Sequence, residues 1–112
     1  MTAAIPEWSA VCAVDDILPG TGVAARVLGR HVAVFRIGAE EFFAIDNIDP
    51  KSGASVLSRG LVGNLGEHLV VASPIYKNHF NLRTGTCLES PEHSVMPHRV
   101  RVEDGKVFVA LS

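Results

Sequence analysis

Five histidines (His31, His68, His79, His93, His98) and two cysteines (Cys12, Cys87) are the side chains best suited to hold a transition metal. Their spacing does not form a site: no HxH, HExxH or CxxC pair occurs. Two thiols in one chain also rule out a four-thiolate zinc or iron–sulfur centre. The opening run from Met1 to Glu7 lacks a basic segment followed by an apolar one, so no secretion signal is expected. Both thiols are therefore expected to stay reduced and unlinked, as small core hydrophobes. No GxSxG elbow marks a nucleophile, and the glycines fit neither GxGxxG nor the Walker A spacing. The carboxylate pairs Asp15-Asp16 and Glu40-Glu41 sit beside turn signals and read as solvated turns.

Whatever chemistry exists must be carried by one domain. The chain has 112 residues, 47% hydrophobic and 20% charged, with net charge -2. That length supports a single domain, 1–112, with a core over about residues 7–111. The apolar content excludes disorder. The slightly acidic balance, with no Lys/Arg block, argues against nucleic acid, and no 18-residue apolar run could span a membrane as a helix.

Valine is the commonest residue at 15, and Val plus Ile (21) outnumber Leu plus Met (11). Such β-branched excess points to strands. Strands are expected at 8–14, 22–28, 31–37 and 42–46, joined by short turns. In the third, Val32, Val34 and Arg36 share one face, and Ala33, Phe35 and Ile37 the other. From Asn47 to Glu67 the alternation disappears, leaving at most a helical turn near 54–58, and loops this long are usually functional. Strands resume at 69–72, 79–82 and 86–88, the last two flanking Arg83-Thr84-Gly85. A final hairpin turns at Asp104-Gly105, pairing Glu103 with Lys106, Val102 with Val107 and Val100 with Val109. The expected fold is all-β, a sandwich or barrel of small antiparallel sheets.

The irregular segments hold one constellation. It comprises Asp46-Asn47-Ile48-Asp49-Pro50-Lys51, Leu57-Ser58-Arg59-Gly60, Ala72-Ser73-Pro74-Ile75-Tyr76 and Phe80-Asn81-Leu82-Arg83-Thr84-Gly85. Here the chain resembles the Rieske ferredoxin family along nearly its whole length. That family carries Cys-x-His and Cys-x-x-His on two loops, with two Cys on one iron and two His on the other. The resemblance places the first motif on Asp49-Pro50-Lys51 and the second on Ser73-Pro74-Ile75-Tyr76. All four ligands are replaced, by Asp49, Lys51, Ser73 and Tyr76, leaving a Rieske-like fold whose two loops form a cluster-less tip.

Asp-Asn-Ile-Asp-Pro, Ser-Val-Leu-Ser-Arg-Gly-Leu and Ala-Ser-Pro together make the chain similar to one branch, the small subunits of assimilatory NAD(P)H-dependent nitrite reductases. That resemblance implies a non-catalytic cytoplasmic subunit without cofactor. Its partner would be a large subunit carrying FAD, an iron–sulfur cluster and sirohaem, reducing nitrite to ammonium in nitrate assimilation. Pro50, Lys51, Pro74, Ile75, Tyr76 and Lys77 are the candidate contacts with that partner, since loop tips with prolines, an aromatic ring and cations suit an interface. Two other readings stand beside it: a Rieske-type electron carrier, and a small mononuclear-metal enzyme using Asp49, Tyr76 and His79.

Overall fold

Alternating apolar residues build nine strands among the described residues, 7–112, of the computed structural model. The opening stretch in which no secretion signal was expected lies outside them, except for Glu7. Six strands form one antiparallel sheet: β1 (Ser9–Ala13), β2 (Thr21–Val27), β3 (Arg30–Ile37), β4 (Glu41–Asp46), β8 (Pro97–Glu103) and β9 (Lys106–Ala110). Its order is β1-β9-β8-β4-β3-β2, and the edge strands β1 and β2 approach each other, so the sheet curls into a nearly closed barrel. A second sheet joins β5 (Leu61–Leu65), β6 (His68–Ala72) and β7 (His79–Asn81).

The two faces expected of the third strand separate two cores. Val32 and Val34 point into the barrel with Ile17, Val27, Ala44, Val107 and Val109. Ala33 and Phe35 face the small sheet, packing with Ile45, Leu57, Val71, Phe80, Leu82 and Cys87. β3 is thus buried on both sides, which explains its near-continuous apolar sequence. Each fully buried Phe or Val side chain stabilises the fold by roughly 1.5–3 kcal/mol relative to exposure. The C-terminal hairpin has the expected register, with Glu103 opposite Lys106, Val102 opposite Val107 and Val100 opposite Val109.

Three expectations need correction. The segment 47–67 is not irregular throughout, because Leu61–Leu65 pairs with His68–Ala72 as a hairpin. Its alternation was hidden by Gly63 and Asn64, and by Leu61 and Leu65 facing outward. The helical turn falls at Leu57–Arg59. Residues 86–88 make only a single bridge, Phe80 to Cys87, rather than a strand. Gly85 is required there: its φ is +78°, and an added Cβ would lie 2.0 Å from the Val95 carbonyl oxygen. Both cysteines are free, Cys87 buried and Cys12 half-buried on β1, where burial and then the nearby Asp16 charge push its thiol pKa up.

Candidate functional site

The two irregular loops, 47–60 after β4 and 73–78 after β6, meet at one end of the molecule. Gly60 permits the approach, since a Cβ there would fall 2.2 Å from the Ala72 carbonyl oxygen. Asn47, only 1% exposed, organises the first loop. Its side-chain oxygen accepts from the Ser58 N–H at 2.6 Å, its amide donates to Ser55 Oγ at 2.8 Å, and its carbonyl accepts from the N–H groups of Val56 and Leu57. Buried polar groups in a loop must be satisfied in this way, or they would cost about 1–3 kcal/mol each. The second loop closes through Ser73 N–H to the Asn78 carbonyl at 2.8 Å and Lys77 N–H to the Ser73 carbonyl at 3.0 Å.

The four positions aligned with cluster ligands come together as two pairs across the loops. Ser73 Oγ donates to Asp49 Oδ2 at 2.5 Å, and both residues are fully buried. Asp49 Oδ1 accepts the Lys51 N–H at 2.9 Å, which fixes the turn within its own loop. Outside this contact, Lys51 Nζ lies 4.7 Å from the centre of the Tyr76 ring, a cation–π contact. The pair at the two Cys positions is therefore a buried hydrogen bond, and the pair at the two His positions is an exposed cation–π stack.

This donor set does not fit a two-iron cluster. A lysine ammonium has no lone pair, and two thiolates and two imidazoles are what the iron pair needs. Each of Asp49, Tyr76 and His79 has another partner. Asp49 is committed to Ser73, the Tyr76 ring to Lys51, and His79 Nδ1 to Glu89 Oε2 at 2.5 Å. No group of three His, Cys, Asp or Glu side chains among the described residues is placed to share a metal ion. Burial alone would raise the Glu89 carboxyl, but hydrogen bonds from the His79 backbone and ring hold it below the ordinary value.

The remaining sequence candidates form the rim. Pro50, Lys51, Pro74, Ile75, Tyr76 and Lys77 are all exposed, Ile75 and Tyr76 at 46% each. Beside Pro50 a groove of about 570 Å³ opens between the tip and the start of β8, lined in part by Arg30, Ile48, Val95 and Met96. Sequence reasoning missed two anchors beneath it. One is Asn47; the other is Asp46, which holds Arg30 at 3.0 Å, His98 at 2.8 Å and the Met96 N–H at 3.1 Å. A run of Asp and Asn straight after a strand was the available signal, since these residues bond to loop backbone.

Two sheets, with a tip formed by loops at 47–60 and 73–78, define a Rieske-like domain, and residues 7–110 match the family described as the Rieske-like [2Fe-2S] domain. The chain belongs to this family and, within it, to the small subunits of NADH-dependent nitrite reductase. It is 49% identical over 102 residues to the nitrite reductase (NADH) small subunit of Salmonella typhimurium, covering 90% of this chain and 94% of that one. The NMR structure of the Escherichia coli protein NirD superposes with a TM-score of 0.88 at 44% identity, covering 95% and 97% of the two chains. A nitrite reductase [NAD(P)H] large subunit from Klebsiella oxytoca matches at 43% identity over 102 residues, 91% of this chain but 11% of that protein.

Proposed function

We propose that this chain is a non-catalytic subunit that binds and supports the large subunit of a cytoplasmic NAD(P)H nitrite reductase, using the loop tip as its contact surface. The Klebsiella relative carries the reading. A domain 43% identical to this chain is part of a polypeptide named as the large subunit. Inside one polypeptide a domain is held by its linker at high effective concentration; a separate chain must hold by surface affinity instead. Pro50, Pro74, Ile75 and Tyr76 supply apolar anchors, and Lys51 and Lys77 the charge at the rim. The large subunit would carry FAD, an iron–sulfur cluster and sirohaem, and reduce nitrite to ammonium for nitrate assimilation.

The electron-carrier reading is disfavoured by the donor set: the positions that would bind iron are paired with each other instead. Co-expression with the large subunit tests the proposal. Affinity capture of this chain is expected to enrich a large flavin- and sirohaem-containing protein, and nitrite reduction or enzyme yield should fall when this chain is omitted. An unchanged yield and rate, with no capture, would overturn it.

A further inference from the structure

The charges of the tip are segregated. Loops 47–60 and 73–78 contain three cations, Lys51, Arg59 and Lys77, all exposed. Their one acidic residue, Asp49, is 0% exposed, so no carboxylate of these loops is presented at the surface. The chain as a whole has net charge -2, so the rest of it is more acidic than that total. Positive charge is thus gathered where two loops converge, around Ile75 and Tyr76.

Neither Lys51 nor Lys77 makes an ion pair among the described residues. The Tyr76 ring orients the Lys51 ammonium without neutralising it. Lys77 is held with φ at +63°, a left-handed conformation that favours glycine or asparagine. Its side chain makes no hydrogen bond, ion pair or ring contact among the described residues that would offset this cost. A strained position that keeps a long cation with no internal use points outward to function.

Building on the docking proposed above, we infer that the surface receiving this tip on the large subunit is acidic, with an apolar centre that takes Ile75 and Tyr76. Lys51 and Lys77 then set orientation and association rate, because unpaired exposed cations attract an opposite potential over about a Debye length, roughly 8 Å at physiological salt.

The test uses this purified chain and the large subunit, with the dissociation constant measured at low and high sodium chloride. Raising salt from about 50 to about 500 mM should weaken association roughly tenfold. Reversing both charges, with K51E and K77E together, should weaken it about a hundredfold and abolish that salt dependence. K77G should weaken it by about three- to tenfold while thermal unfolding occurs no earlier, since glycine relieves the left-handed backbone. K106E, on the hairpin at the far end of the barrel, is a control for a single charge reversal away from the tip and should bind as the unaltered chain does. Salt-independent binding, or full affinity in the double reversal, would overturn the inference while leaving docking intact. Tighter binding to duplex DNA than to the large subunit would overturn it too. No association of the unaltered chain at low salt would remove the docking reading itself.

Discussion

The barrel and the tip are ordered by different forces. Inside the barrel, Val32, Val34, Val107 and Val109 are positioned by a two-residue period and held by burial. At the tip, Asn47, Asp49 and Ser73 are just as buried, but each is held by hydrogen bonds to a particular backbone or side-chain partner. Apolar packing tolerates exchange among similar side chains, whereas a buried polar group depends on one partner. The strands are held by burial, and the two loops are cross-linked by the Ser73–Asp49 hydrogen bond and the Lys51–Tyr76 contact.

The sharpest way to break the contrast is in the barrel wall. Phe35 is fully buried between β3 and the small sheet, so Phe35→Ala should cost about 3–5 kcal/mol in urea unfolding. At the tip, Ser73→Ala removes the cross-loop donor to Asp49 Oδ2 and should cost about 1–3 kcal/mol. Asp49→Ala combined with Ser73→Ala should cost less than the two single changes added, because both remove one interaction. Additive losses would show that the pair is not coupled. The outer pair is weaker: Lys51→Met or Tyr76→Leu should lose about 0.5–1 kcal/mol, as an exposed cation–π contact does.

The smallest effect is a pH dependence beside the tip. Glu89 has its folded pKa depressed by hydrogen bonds from His79, so its contribution is present above the ordinary carboxylate pKa. That contribution fades as pH falls through the depressed value. Solvent exposure keeps it small, and Glu89→Gln should lower the neutral plateau slightly and flatten the acid limb of the stability profile.

Much of the barrel was legible because its burial pattern is periodic. The two faces of Arg30–Ile37 and the register around Asp104-Gly105 could be read from residue types alone. The hairpin of Leu61–Leu65 with His68–Ala72 was half hidden, since Leu61 is 80% exposed and alternation there runs opposite to apolar-inside. At the tip, the resemblance to the Rieske family located Asp49, Lys51, Ser73 and Tyr76, but not how they would pair. Pairing across loops is set by tertiary approach, here by Gly60 against Ala72 and by Asn47 shaping the first loop. No local pattern encodes that approach.

The central claim is that side-chain pairs, rather than a bound cluster, hold the tip together. Thermal unfolding of the purified chain, measured before and after exhaustive iron chelation alongside its visible spectrum, tests this most directly. The pairs predict a colourless protein without stoichiometric iron and an unfolding midpoint that chelation does not move. Two irons per chain, a visible chromophore and a midpoint that drops on chelation would contradict it.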